Sequence, residues 1–473
     1  MIARMDWAGF TFKRQPPRRH GFIFRVLVGC GRQNPYGRAC PRTSQRQMRH
    51  GHFCLFTIPV PGIGWLMFLA LPPVAFFTIT SRRSSSKDDL QALRNSVRLL
   101  HVVHSCNPLA GGVAEAVNRL AEAAIEVDYE AEIATCDQSS ASFLAELDVK
   151  ARGFGPASES SYHSCPSLGA WLMENAASFD GLVSHGLWQY PSVAVRKAAR
   201  KADKPYFVYP HGMLDPWFKS QYPWKHLKKT FFWWFRQARI LRDARAVCFT
   251  TDEERRLGRG TFRPYKCNEV VTGLGVAEPP LDADAQTHAF NEKFPCLRNK
   301  RTLLFLGRIH RKKGIDLLLQ AFEELSTADD HLVVAGPSED GSFAEELARA
   351  SGKFADRITW AGMIRDDLKW GALRVADALI LPSHQENFGM VVAEALAVGT
   401  PVLITDKVNL WREVEDDRAG KISTADLSGI RSLMREWKNP SFYKLTPNAR
   451  PCFEKRFRIN TAARNLAALV EGN

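Results

Sequence analysis

The chain has 473 residues, 45% apolar and 24% charged, enough for two or three domain cores and too apolar for an unfolded polyelectrolyte. Its formal charge of +14 is lopsided: residues 1–51 hold 11 Lys/Arg against the single acid Asp6, and the remainder holds 53 basic and 49 acidic residues. That near-balance excludes nucleic-acid binding by charge beyond residue 51, and the ten scattered cysteines form no C-x-x-C pair, so zinc-ribbon and thioredoxin-like chemistry lack support and reduced, mostly buried thiols are expected.

In chain order, residues 1–51 are rich in Arg, Pro and Gly and aperiodic. The uncharged run 52–81 is long enough to cross a bilayer, but Pro59, Pro61, Pro72 and Pro73 oppose one clean helix. Three readings of this extension stay open: a disordered or misassigned leader, a membrane anchor with a positive flank, and a functional basic tail. A Ser/basic linker at 81–87 precedes a composition break, so the folded part is expected to begin near Asn95.

Residues 97–103 read as a buried first strand. The loop Ser105–Val113 with Gly111 and Gly112 then leads into a helix over 113–124. This is not G-x-G-x-x-G, so no dinucleotide fingerprint is present, and a tight βα turn explains the glycine pair equally well. Strands are expected at 127–134, 181–184, 206–209, 246–250 and 269–271, with helices at 171–177, 192–202, 225–242 and 252–257. Residues 274–298, with Pro279, Pro280 and Pro295, read as a linker. A second cycle places strands at 301–307, 331–335, 357–360, 377–381 and 401–404. Such alternation predicts an α/β protein with parallel sheets and crossover helices.

The motifs that carry chemistry lie at strand ends. Glu386 follows the strand 377–381, and Glu394 rides on a short helix stopped by Gly399 and Pro401. Carboxylates accept charge-assisted bonds from hydroxyls, and their spacing suits two hydroxyl-rich groups of one extended ligand, such as the sugars of a nucleotide-sugar. Between them the amides of Asn387, Phe388 and Gly389 are expected to open a helix N-terminus, an anion site. After the strand ending at Gly307, Arg308 and Lys313 match a diphosphate and would stabilise charge on a departing one; His310, Arg311 and Lys312 are read as surface residues. His211 in Pro210-His211-Gly212 ends another strand and faces the expected cleft, although a lone His is often structural; His185 in His185-Gly186-Leu187-Trp188 has the same placement and is expected on the acceptor side. The aromatic and basic stretch 217–242 covers too much helix circumference for an ordinary surface helix, leaving open docking at a bilayer interface and packing on the core. No metal-ligand cluster stands out.

The Glu386-x7-Glu394 segment, together with Arg308 and Lys313, resembles glycosyltransferase family 4, the group 1 retaining enzymes with the GT-B fold, over about residues 97–470. The resemblance implies two Rossmann-like doubly wound domains facing a cleft, with a C-terminal helix returning to the N-terminal domain. It divides the chain into an extension (1–94, with the possible membrane segment near 53–80), an acceptor domain (95–278), a nucleotide-sugar domain (298–450) and a C-terminal helix region (451–473). It implies that Glu386 contacts the donor sugar, Glu394 the ribose, Arg308 and Lys313 the diphosphate, and His211 the donor sugar from the other wall. It further implies that Gly111 and Gly112 border the phosphates and acceptor, and that Gly362 with Ile364 or Arg365 holds the base through backbone. The expected activity is a retaining, metal-independent hexosyl-type transfer in polysaccharide or glycoconjugate synthesis. No cofactor is expected beyond the nucleotide-diphosphate sugar as co-substrate. The acceptor would be a saccharide or lipid-linked saccharide, in the cytoplasm and with possible contact to the inner membrane face. The alternatives are a GT-B phosphorylase or epimerase and a non-catalytic sugar-nucleotide-binding protein.

Overall fold

A computed structural model describes residues 55–60, 64–71, 74–77, 97–127, 129–338 and 341–472, and the chain divides into two compact units, Met1–Arg94 and Asn95–Asn473. The basic segment 1–51 and the linker 81–87 lie outside the described residues. In the first unit the apolar run forms strands β1 (Leu55–Val60), β2 (Gly64–Leu71) and β3 (Val74–Phe77), paired antiparallel in that order. Pro59 sits in the edge strand β1, where a missing ladder donor is tolerated. Among the described residues no helix is long and apolar enough to cross a membrane.

The second unit holds two parallel sheets. The first has β4 (Arg98–Val103), β5 (Glu130–Gln138), β6 (Lys150–Gly155), β7 (Gly181–His185), β8 (Tyr206–Tyr209), β9 (Ala246–Phe249) and β10 (Glu269–Val271), in the order β10-β9-β8-β7-β4-β5-β6. The second has β11 (Arg301–Leu306), β12 (Asp330–Ala335), β13 (Ile358–Gly362), β14 (Ala378–Leu381), β15 (Val402–Thr405) and β16 (Gly420–Ser423), in the order β13-β12-β11-β14-β15-β16. Strands β7, β8, β9, β12, β14 and β15 are buried along their whole length, because helices cover both faces.

Each sheet grows outward one way and then reverses, between β4 and β7 in the first and between β11 and β14 in the second. Ligands of open α/β sheets bind at the carboxyl ends of strands beside such reversals. Arg308 follows β11 and Glu386 follows β14; Gly111 follows β4 and His185 ends β7.

Three expectations need correction. The edge strands β6 and β16 were not anticipated. The presumed linker carries the helix Ala283–Lys293, packed on the helix Asp366–Val375 so closely that a Cβ on Gly371 would lie 2.1 Å from the Gln286 carbonyl oxygen. The expected helix 225–242 is a run broken by a π turn, Pro223–Phe232, Trp233–Gln237 and Ala238–Asp243. The last helix, Ile459–Glu471, returns to the first sheet's domain as expected: Asn460 Nδ2 donates to Glu126 at 2.6 Å and Asn465 Nδ2 to the Thr272 carbonyl at 3.0 Å.

Candidate functional site

The loop after β11 is shaped by two close backbone approaches. A Cβ on Gly336 would sit 1.9 Å from the Gly307 carbonyl oxygen, and Gly336 has φ +139. Gly314, at φ +64, brings the loop against β14, where a Cβ would stand 2.2 Å from the Pro382 carbonyl oxygen; the His384 amide donates to the Lys312 carbonyl at 2.8 Å. Only glycine satisfies both positions. The result carries the Lys313 ammonium onto the Glu386 carboxylate, with side-chain exposures of 17% and 21%.

Glu386 itself is fixed by its backbone, its amide donating to the Lys407 carbonyl at 2.9 Å and its carbonyl accepting from the Asn409 amide at 3.1 Å. Gly389 adopts φ +78 and the helix starts only at Met390, so the first-turn amides open slightly later than the expected 387–389. Phe388 turns inward, edge-on to Phe457 with centroids 6.0 Å apart, and Asn387 turns towards the first domain. Glu394 is paired with Lys369 of the helix Asp366–Val375 at 2.8 Å, a partner the sequence reading missed. Gly362 has φ +64 and gives its carbonyl to the Gly336 amide at 2.8 Å, while Ile364 is buried. Gly111 is at φ +93, and neither it nor Gly112 has an atom within 4 Å of a built Cβ, so that loop is open.

On the facing wall, His101 on β4, His185 at the end of the neighbouring β7 and His211 in the turn just after β8 form a chain. His101 Nδ1 lies 3.0 Å from His185 Nε2, and His185 Nδ1 lies 3.0 Å from His211 Nε2. His185 is 2% exposed, so it does not line the acceptor side as expected; it touches the cleft only through His211. Burial pushes His101 and His211 down to about 4, and His185 is held well below the usual imidazole range by burial and its two neighbours. All three rings are therefore neutral at pH 7, with one N–H each. Among the described residues His101 Nε2 is buried without a partner. A bare lone pair there costs less than an orphaned N–H, which places every proton on Nδ1 and leaves the His211 Nδ1–H as a donor.

The two walls are stitched together one residue from His211 and Glu386. The Gly212 amide donates to the buried Glu254 carboxylate at 2.6 Å, which also accepts from the Thr250 amide and hydroxyl at 2.8 and 2.7 Å. Asn387 Nδ2 donates to the Thr250 hydroxyl at 3.3 Å, and a Cβ on Gly212 would meet Asn387 Oδ1 at 2.8 Å. Burial raises Glu254, and these hydrogen bonds oppose the rise. Arg412 also crosses to Glu253 at 2.7 Å. Lys312 is not a plain surface residue: its ammonium lies 4.5 Å from the ring centroids of both Trp217 and Phe218.

The histidine chain predicts acid sensitivity. Between about pH 6.5 and pH 4 the unfolded chain binds protons that these native rings refuse, so stability is full above pH 6.5 and falls as pH falls through that window. For the sealed His101 alone the loss is roughly 3 kcal/mol. Urea denaturation at pH 7 and pH 4.5 checks it, and His101→Asn should flatten the dependence; an unchanged pH slope in that variant would contradict the assignment.

Two doubly wound parallel domains with their reversals at one crevice define a GT-B protein. Residues 288–425 match the family described as glycosyl transferases group 1, and residues 111–271 match the glycosyl transferase 4-like domain. Mannosylfructose-phosphate synthase of Agrobacterium fabrum is 30% identical over 187 residues, 36% of this chain and 40% of that protein. D-inositol 3-phosphate glycosyltransferase of Thermomonospora curvata is 34% identical over 158 residues, 29% of this chain and 36% of that protein. The chain thus aligns with well under two thirds of the length of these curated relatives. Among solved structures, Anabaena HepE in complex with UDP and glucose shares the fold at TM-score 0.64 and 17% identity, over 80% of this chain and 100% of that one. The chain belongs to the group 1 glycosyl transferases, glycosyltransferase family 4.

Proposed function

We propose that the protein transfers a hexosyl group, with retention of anomeric configuration, from a nucleotide-diphosphate sugar to a saccharide or lipid-linked acceptor. The observation that carries this reading is the placement of Arg308 and the Lys313–Glu386 pair on either side of the β11/β14 reversal, with Glu394 one short helix away. In this account Glu386 accepts from donor-sugar hydroxyls and Glu394 from the ribose. Arg308 and Lys313 stabilise the leaving diphosphate, the charge a metal ion would otherwise balance. His211 donates its Nδ1–H to a sugar or phosphate oxygen from the opposite wall. Retention follows if attack and departure share one face, with the leaving phosphate taking the acceptor proton, so no carboxylate is assigned as a covalent nucleophile. The complex of Anabaena HepE with UDP and glucose supports a nucleotide-sugar donor.

The stretch 217–242 supports work at the cytoplasmic membrane face. Trp233 and Gln237 are buried beneath it, whereas Trp224, Leu227, Phe231, Trp234 and Phe235 are exposed beside Lys225 and Lys228. Packing and exposure thus divide the helix between the two sequence expectations, and the exposed face has the composition of an interfacial helix.

Arg308→Ala should weaken nucleoside diphosphate binding about tenfold, the loss of one charge-assisted contact. Calorimetric titration checks it, and unaltered affinity would remove Arg308 from the diphosphate site.

A further inference from the structure

We infer that the cavity between the helix Pro223–Phe232 and the loop His310–Lys312 binds the phosphate or diphosphate group of an anionic acceptor. This inference rests on the transferase reading and deepens it by naming the acceptor's chemistry. The cavity holds about 360 Å³ and is lined by, among others, Phe218, Tyr222, Lys225, Lys229, His310 and Lys312. That size lies at the small end of ligand pockets.

Its charge is the argument. The ammonium groups of Lys229 and Lys312 stand 5.2 and 4.5 Å from the centroid of the same Phe218 ring, and that of Lys225 stands 4.7 Å from the centroid of Tyr222. Among the described residues none of these three lysines forms an ion pair with a carboxylate within 4.0 Å. Among the described residues the lining holds one acid, Asp215, which accepts from the Trp217 amide at 2.7 Å and partly offsets the Lys312 charge. Lys229 is held below the usual lysine range by burial, Lys225 and Lys312; Lys312 is held down by burial and Arg308, with Asp215 and Glu386 opposing in part. Three crowded cations, two of them half-buried and none in ion-pair contact with a carboxylate, are costly unless an anion joins them. A phosphate or diphosphate supplies that charge, and the aromatic floor accommodates an apolar or sugar face.

Its position favours an acceptor over a second donor site. Lys312 turns into the cavity and its neighbour Lys313 turns to Glu386, so one short turn separates the two compartments. The exposed Trp224, Leu227 and Phe231 belong to the helix that supplies Lys225 and Lys229. The same pocket therefore suits a soluble phosphosugar or the headgroup of a membrane-borne phosphate.

The test is calorimetric titration of inorganic pyrophosphate into the full chain saturated with UDP, so that the donor site is filled. The expected result is one pyrophosphate bound per chain, weakened at least about tenfold in Lys225→Gln/Lys229→Gln with UDP affinity unchanged. Lys229→Arg, which keeps the charge, should retain binding. Absence of pyrophosphate binding in the UDP-saturated wild type overturns the inference, as does equal affinity in the double variant. Failure of UDP, GDP and ADP to bind at all would instead strike the donor reading, and pyrophosphate affinity in wild type against the double variant would still decide the pocket. Competition by glucose 1-phosphate assigns the anion to a soluble phosphosugar. Co-sedimentation with phosphatidylcholine vesicles containing phosphatidic acid, lost in the double variant, assigns it to a lipid headgroup.

Discussion

Glu386→Ala is expected to lower sugar transfer by at least about a hundredfold, a loss of the size seen when one preorganised polar contact to a reacting group is removed. Two effects combine. The donor sugar loses its charged acceptor, and Lys313, only 17% exposed along its side chain, loses the partner that orients it toward the diphosphate. The loop itself should survive, because it is held by the backbone bonds to Lys407 and Asn409 rather than by the side chain. Steady-state kinetics with a thermal melt separates these outcomes. A large fall in kcat/KM with an intact melt supports the assignment, and Glu386→Gln should recover part of the activity by keeping one accepting oxygen. Full activity in Glu386→Ala would overturn it.

Gly336→Ala should be nearly as damaging by a different route. The new Cβ would fall 1.9 Å from the Gly307 carbonyl oxygen, a backbone atom, at φ +139. Overpacking and the unfavourable φ together cost about 3 kcal/mol. Relief would require Gly307 to move, and Arg308 with it, so nucleoside diphosphate affinity should fall along with stability. Gly362→Ala is the matched control: φ is +64 but nothing lies within 4 Å of its Cβ, so only the backbone cost of about 1 kcal/mol is expected. Urea denaturation of both variants checks the pair, with UDP titration of Gly336→Ala against wild type, and equal losses of stability would contradict the close-approach account.

The central strands were legible because burial on both faces leaves an uninterrupted apolar run, as in Tyr206-Phe207-Val208-Tyr209. The edge strands β6 and β16 were not, because Lys150-Ala-Arg-Gly-Phe-Gly155 and Gly420-Lys-Ile-Ser423 need apolar residues on one side only. The helix Ala283–Lys293 was hidden by prolines around it and by a polar surface that buries only Gln286 and Phe290, although its Asp282 cap was present in the sequence.

The site divides in the same way. Glu386, Glu394, Arg308 and Lys313 sit in short local motifs that state their strand-end placement. Lys369, Glu254 and His101 gain meaning only from the order β8-β7-β4 and from the packing of one domain on the other. His101 and His185 are 84 residues apart, and no local pattern could pair them. Lys312 was misjudged because the aromatic residues that cover it lie on the other domain.

The central claim is that the β11/β14 crevice takes a nucleotide-diphosphate sugar and gives up its sugar. The most direct test is to incubate the full chain with UDP-, GDP- and ADP-hexoses, with and without phosphosugar acceptors, and to follow nucleoside diphosphate release and product mass by mass spectrometry and the product's anomeric configuration by proton NMR. The account predicts release from one nucleotide class, stimulated by an acceptor, accompanied by a retained-configuration glycoside and absent in Glu386→Ala. No release from any of the three, or equal release by wild type and Glu386→Ala, would contradict it.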